Sequence, residues 1–460
     1  LKPWETPALT PKVKPLVAMF DPRAVARVMR RAGTLATAAA TAAPRPPPIA
    51  TAIASAGSRR TLGGRSTPSS SANGVTSDTW SAAQLHGLLA SFDVELPVAK
   101  ARTPPGSWYT SSAFFGAEAD SVFRRHWLHV GRVDQLAQPG AFFTGSILGQ
   151  PYLVSRTEAG EIRAMFNVCA HHAAIVVGER EGCADHFVCP YHGWCYKTDG
   201  RLWKAFKVKG IEDFRARDNG LKPIQVDTVG PFVFINFSET PLPPVAEVLA
   251  ESVTEPLEAC GRLEHLRFVR RVEYEVPSNW KVFCDNYLDG GYHVPIAHPS
   301  LAADLDEDSY TIVGVKNGTV QSVPAVAPPA GETVSRLSGE AKYAFAYPNF
   351  MVNRYGPWMD TNTVVPLAPE RSLVLFDYFL DEAQVRAQEP GVDIEAFVSS
   401  SLKASDQVQR EDEHLCDIVQ QGLRSRGYSV GRYVPSFEHG MHTFHRQLHS
   451  DVARLVAPTV

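Results

Sequence analysis

The chain has 460 residues, 44% of them hydrophobic and 20% charged, with a formal net charge of −4. That length accommodates two or three ordinary globular domains, and the faint acidity offers no footprint for nucleic acid. No stretch is apolar and long enough to span a bilayer, and seven scattered cysteines fit metal sites and free thiols rather than a disulfide framework.

From Pro22 to Ser77 there is no acidic residue, while eight arginines and no lysine stand among Ala, Ser, Thr, Pro and Gly. Such a leader reads as an organelle transit peptide over 1–78, the competing reading being a disordered tail with no address. Arg23, Arg27, Arg30 and Arg31 would share one helix face, as in a mitochondrial signal, but the Ser/Thr/Pro-rich remainder suits a plastid. Met19 is a plausible start.

Order is expected from about Trp80. Residues 79–129 read as a helical segment packing on the catalytic domain, with Val122, Phe123 and Trp127 on one face of a helix over Ser121–Val130. Beyond Gly140 the pattern shortens to strands over 141–145, 152–156, 162–168 and 232–237, so that 130–240 reads as an all-β domain. Pro241–Pro244 is a linker, and 241–460 forms a second domain. Its elements are a helix from Val245 to about Glu255 stopped by Pro256, a strand over Arg267–Val276, further strands over 364–367 and 373–380, and a long helix over Ile394–Leu423. The class is α+β.

Two motifs carry the chemistry. The first is Cys169-Ala170-His171, seventeen residues, then Cys189-Pro190-Tyr191-His192. Each pair mixes one thiolate and one imidazole, which suits a Rieske [2Fe–2S] centre with two cysteines on one iron and two histidines on the other. Zinc is the competing metal, but its pairs usually join like ligands. Cys183 and Cys195 read as bystanders, and His172, beside a ligand, as a modulator or a decoy.

The second motif is Asp289-Gly290-Gly291-Tyr292-His293, four residues, then His298. Asp285, Asp289 and His293 are spaced to stack on one helix face. His293 and His298 would lie about 140° apart on an ideal helix, too far to share a metal, but Pro295 breaks the helix and lets the chain turn back. Two histidines need a carboxylate to complete a facial triad on Fe(II), and Asp406, Glu411, Asp412 and Glu413 on the long helix are candidates. An electron store upstream of such an iron implies oxygen activation. His439, His442, His445 and His449 could share a helix side and bind metal, although histidines so placed are more often packed or solvated.

With these motifs, and with the blocks Asn279-Trp280-Lys281-Val282-Phe283-Cys284-Asp285-Asn286-Tyr287, Tyr347-Pro348-Asn349-Phe350 and Arg354-Tyr355-Gly356-Pro357-Trp358-Met359, the chain from about Arg102 to Ala453 resembles the α-subunits of Rieske non-haem iron oxygenases, and among them the plant choline-oxidising branch. The resemblance implies an all-β Rieske domain and a helix-grip catalytic domain, an antiparallel sheet on a long helix. It implies Cys169, His171, Cys189 and His192 as cluster ligands, and His293, His298 and Asp412 as ligands of mononuclear Fe(II). It implies a head-to-tail homotrimer in which Asp289, or Asp285 in its place, bridges His293 to a neighbouring subunit's cluster histidine. It implies oxidation of choline by O2, with electrons from reduced ferredoxin, to betaine aldehyde hydrate on the way to glycine betaine in the chloroplast stroma. Carnitine, another quaternary amine or an aromatic ring is the alternative substrate, and a Rieske-only electron carrier the alternative class. A quaternary ammonium asks for an aromatic cage, for which Tyr347, Phe350, Tyr355 and Trp358, with Tyr343 and Phe345, are the candidates.

Overall fold

The computed structural model describes residues 80–326, 336–337 and 339–457. The leader and the Met19 start lie outside these residues. Ser81 and Gln84 form a reciprocal capping box that starts helix α1 (Ala82–Leu89), and the Ser111 side chain caps α2 (Ser112–Glu118). The helix expected over Ser121–Val130 does not form. A π turn over Ala119–Phe123 ends the helical segment, and strand β1 starts at Leu128. Val122, Phe123 and Trp127 are all buried, but two stand in the π turn and Trp127 in the link before β1, so their spacing imitated one helix face.

Among the described residues the first, all-β part holds ten strands: β1 (Leu128–Arg132), β2 (Ala141–Ile147), β3 (Gln150–Arg156), β4 (Ile162–Phe166), β5 (Glu181–Cys183), β6 (His186–Val188), β7 (Cys195–Lys197), β8 (Leu202–Lys204), β9 (Pro223–Val229) and β10 (Phe232–Asn236). Seven pair in the order β1-β10-β9-β4-β3-β2-β5, while β6-β7-β8 form a small separate sheet. A core of Phe142, Leu153, Met165, Phe187 and Tyr196 backs the two loops of the first motif.

The segment after the linker is not one helix. Val245–Val248, a π turn over Ala250–Thr254 and Glu255–Glu258 follow one another, and Pro256 lies within the first turn of the last piece. Proline there opens a turn, because its missing N–H would have had no partner anyway. The seven strands β11 (Arg267–Val276), β12 (Thr311–Val315), β13 (Gly318–Pro324), β14 (Glu340–Ala346), β15 (Phe350–Tyr355), β16 (Trp358–Ala368) and β17 (Arg371–Leu380) form an antiparallel sheet ordered β11-β17-β16-β15-β14-β13-β12. Three longer helices accompany it: α3 (Trp280–Tyr287), α4 (Ile394–Leu423) and α5 (His439–Ala453). Helix α4 buries Ser401, Ser405, Asp412, Cys416 and Gln420. These recur at helical spacing and give one small, polar face directed inward.

The two halves of the chain are clamped together. Asp377 on β17 takes Arg271 through Nε and Nη2, both at 2.6 Å, and Arg132 of β1 through Nη1 at 3.1 Å. Arg132 also covers the Phe268 ring. The two guanidinium groups hold the Asp377 carboxyl below the usual carboxylate range against the opposing effect of burial. Nearby, buried His129 stacks on Phe350 and meets Thr363 Oγ1 at 2.7 Å.

Candidate active site and metal centres

Helix α3 is anchored from its first residue. The Asn279 side chain accepts from the Lys281 N–H and donates to the carbonyls of Tyr109 and Pro369. Lys281 and Glu118 form a fully buried ion pair at 2.5 Å, and the Trp280 indole donates to the second Glu118 oxygen. Burial is the largest influence on both groups and draws each towards neutrality, raising Glu118 and lowering Lys281.

The helix ends at Tyr287, so Asp285, Asp289 and His293 do not stack on one helix as expected. Gly290 and Gly291 follow with φ of +71° and +75°, a conformation that favours glycine. A Cβ on Gly290 would stand 2.4 Å from the Phe437 carbonyl oxygen. This turn returns His293 to Asp289, whose Oδ2 accepts from the His293 N–H at 3.1 Å and lies 2.6 Å from His293 Nδ1. Pro295 does not break a helix; it sits in the first turn of a short new one, Val294–Ala297, which delivers His298.

The structure brings His293, His298 and Asp412 together, with one ligand atom from each within 4.8 Å of the others. Asp412 Oδ1 is 3.1 Å from His298 Nε2 and 3.6 Å from His293 Nε2. On the far edge of each ring a carboxylate holds Nδ1: Asp289 for His293, and Glu411 for His298 at 2.7 Å. A carboxylate accepts, so each Nδ1 carries the proton and each Nε2 is directed to the shared point. Burial opposes a proton on His298, but Asp412 and Glu411 outweigh it and raise its pKa. Two imidazoles, one carboxylate and two orienting acids fit a facial-triad iron. The other carboxylates weighed on α4 point elsewhere, Asp406 to the Tyr274 hydroxyl and Glu413 to Arg410. The orienting role of Glu411 was missed; its position beside Asp412 was the available signal.

The first motif folds as two loops of one design. The Cys169 N–H donates to the Ala174 carbonyl and the Cys169 carbonyl accepts from the Ala173 N–H, while the Cys189 N–H donates to the Trp194 carbonyl and the Cys189 carbonyl accepts from the Gly193 N–H. The fourth residue after each cysteine, Ala173 or Gly193, has positive φ. Both thiols are buried, and the imidazoles of His171 and His192 lie 4.7 Å apart nearer the surface. His171 stacks on Trp194, and its Nδ1 is buried without a partner. Burial raises the Cys189 thiol. Burial also acts to raise Cys169, but hydrogen bonds from the Tyr196 hydroxyl and from backbone N–H groups outweigh it and leave that thiol low. An acidic thiol, two imidazoles and an orphaned ring nitrogen suit a mixed thiolate–imidazole cluster. His172 lies 4.0 Å from His171, ring to ring, so a third imidazole borders the group. Cys183 and Cys195 stand outside it, on β5 and β7.

Beside the triad lies a cavity of about 120 Å³ lined by Phe283, Tyr287, Tyr310, Tyr343, Asn353 and Asn362, with Asp289, His293, His298 and Asp412 in its wall. Tyr347, Phe350, Tyr355 and Trp358 do not line it. Tyr347 donates to Asp451, Phe350 packs on His129 and Phe232, Tyr355 binds Asp360, and Trp358 stacks on Phe397. Each ring fills a different layer of the sheet. Asp285 is also away from the triad, bonded to Tyr109. The α5 histidines do not converge on a metal: His439 meets the Ile312 carbonyl, His445 lies between two tyrosines, and His449 packs on Phe92 and Trp108.

Comparison with known proteins finds the same two domains. The Rieske [2Fe–2S] domain family matches residues 126–215, and the catalytic domain of the ring-hydroxylating alpha subunit matches 263–453. Chloroplastic choline monooxygenase of Arabidopsis thaliana is 44% identical over 376 residues, covering 79% of this chain and 86% of the relative. The chain belongs to the Rieske oxygenase α-subunit family. It is a Rieske-type oxygenase whose cofactors are a [2Fe–2S] cluster and a mononuclear iron. The carnitine monooxygenase oxygenase subunit of Acinetobacter pittii is 30% identical, covering 71% of this chain and 86% of that one. The crystal structure of the quaternary ammonium Rieske monooxygenase CntA with L-carnitine superposes with a TM-score of 0.66 at 28% identity, covering 77% of this Rieske oxygenase and 99% of CntA.

Proposed function

We propose that this oxygenase is a choline monooxygenase that converts choline, O2, two electrons and two protons to betaine aldehyde hydrate and water, a step towards glycine betaine. The carrying observation is the wall of the small cavity. Phe283, Tyr287, Tyr310 and Tyr343 supply aromatic rings, Asp289 and Asp412 supply negative charge, and none of the described lining residues is Lys or Arg. Rings and carboxylates attract a quaternary ammonium, whereas the carboxylate of carnitine would find no cationic partner there. The Tyr287 and Tyr310 hydroxyls are tied to Asn353 and Gln321, which fixes both rings.

In this reading Cys169, Cys189, His171 and His192 hold the cluster, and His293, His298 and Asp412 hold the iron. The bound iron, supplied with electrons through the cluster, provides dioxygen activation. Asp289 and Glu411 fix the two histidine rings. The aromatic wall holds the trimethylammonium head and leaves the carbinol end towards the triad.

We further propose reduced ferredoxin as the donor, a homotrimer as the working assembly, and the chloroplast stroma, reached through the 1–78 leader, as the location. The chloroplastic relatives support the location. Exposed apolar side chains at both centres support the assembly: Tyr191 is 64% exposed beside His192, and Ile296 is 85% exposed beside His293. There Asp289 would join His293 to the partner subunit's His192.

The test is O2 uptake by residues 79–460, iron-reconstituted and supplied with reduced ferredoxin, with choline, with carnitine and with neither. Uptake matched by betaine aldehyde is expected with choline. Uptake driven by carnitine alone would overturn the substrate assignment.

A further inference from the structure

A second, larger cavity of about 320 Å³ shares Asn286, Asp289 and His293 with the wall of the substrate cavity. Its other walls carry Tyr109, Asp285, Tyr428, Glu438 and His445. Three of these side chains, Tyr109, Asp285 and His445, form a continuous chain with Tyr433, which does not line the cavity. Tyr433 Oη is 2.7 Å from His445 Nδ1, His445 Nε2 is 3.0 Å from Tyr109 Oη, and the Tyr109 hydroxyl donates to Asp285 Oδ2 at 2.6 Å. The second oxygen, Asp285 Oδ1, lies 2.9 Å from His445 Nε2 but accepts no well-formed hydrogen bond, although it is buried. A buried acceptor left short of a bond is costly, and here it gives the chain an end that can take up a proton.

We propose that Tyr433, His445, Tyr109 and Asp285 form a proton relay that feeds the iron site through this second cavity. The inference rests on the oxygenase reading, because a monooxygenase needs protons: substrate C–H, O2, two electrons and two protons give C–OH and water. Within the substrate cavity the acids are Asp289 and Asp412, both engaged with the iron histidines, so protons must come from outside it. The second cavity can hold several waters, each with a share of about 30 Å³ in the liquid. The charged and titratable groups facing the relay are Lys281 and Cys284 from α3, Cys416 from α4, His442 from α5, and Tyr428 and Glu438 at the cavity wall. Lys281 is neutralised by Glu118, which leaves Glu438 as the further acid. Burial, reinforced by Asp289 and Asp285, raises its carboxyl against a hydrogen bond from the Val434 N–H.

The test compares wild type, Tyr109→Phe and His445→Gln in the iron- and cluster-loaded enzyme. It uses whichever of choline or carnitine drives wild-type uptake, so failure of the choline assignment leaves it standing. Tyr109→Phe removes one oxygen and keeps the packing. The expected result is kcat lowered about tenfold or more in both variants, with KM, iron content and cluster absorbance unchanged, and a solvent deuterium isotope effect on kcat larger than in wild type. An isotope effect that stays at the wild-type value in Tyr109→Phe, whatever happens to kcat, overturns the relay.

Discussion

Glu411 offers the cleanest test of how the iron histidines are oriented. It touches neither substrate nor the shared ligand point, and its carboxylate holds Nδ1 of His298 at 2.7 Å. Losing such an orienting partner costs roughly 10–100-fold in metal affinity. Glu411 is 27% exposed at its side chain, so water can replace part of the lost bond. Glu411→Ala should therefore fall in the lower part of that range, roughly 10–30-fold, or about 1.4–2 kcal/mol. Glu411→Gln keeps an acceptor but loses its charge, and a charge-assisted bond is roughly twice as strong as a neutral one; the amide should lose about half that free energy, roughly three- to fivefold. Asp289→Ala would be a poorer probe, because Asp289 also accepts from the N–H groups of Gly291 and His293 and its loss would open the turn. The assay is anaerobic equilibrium binding of Fe(II) to cluster-loaded protein, with cluster absorbance as the internal control. An Ala variant within twofold of wild type would refute the orienting role.

Lys281→Met should destabilise the protein by about 3–5 kcal/mol, since it leaves the Glu118 carboxylate buried and unpaired; the double variant Glu118→Leu/Lys281→Met should regain much of that loss in chemical denaturation. Burial pushes His129 down to about 3 and His442 to about 4. Both rings are neutral in the fold and take up protons on unfolding below their ordinary value of about 6.5, so their contribution to stability is complete above that pH and declines as pH falls towards 4, which denaturation midpoints at pH 7.5 and 5 would register. Tyr310→Leu should raise the choline KM about fivefold or more, from loss of roughly 1 kcal/mol or more of cation–π attraction, while Trp358→Phe, outside the cavity, leaves KM unchanged; steady-state uptake separates the two.

Helix α4 over Ile394–Leu423 was legible because it holds one helical period without interruption, and strand β11 over Arg267–Val276 because its β-branched and aromatic residues end at Pro277, although its register shifts between Phe268 and Arg270. The two motifs were legible because cysteine and histidine at tight spacing have few other reasons to recur. The aromatic wall was not. Residues 343–358 are rich in rings, but they lie on strands of a sheet covered on both faces, and alternation does not say which face holds a cavity. Of those rings only Tyr343 reaches the cavity; Tyr287 and Tyr310 come from a helix end and from the residue before β12. The turn at Gly290–Gly291 was hidden because the acid and histidine spacing also suits a helix, and the glycines become decisive only when Phe437 is packed against them.

That packing links the order of assembly to the end of the chain. The histidine-bearing turn closes on the Phe437 backbone, and α5, which begins two residues later, supplies His445 to Asp285. The cluster loops have their own core and ask nothing of this segment. A chain folded only as far as α4 would hold all the iron ligands without the surface that sets their turn. Formation of the iron site is therefore expected to wait for docking of the carboxyl-terminal helix, whereas the cluster loops can fold without it.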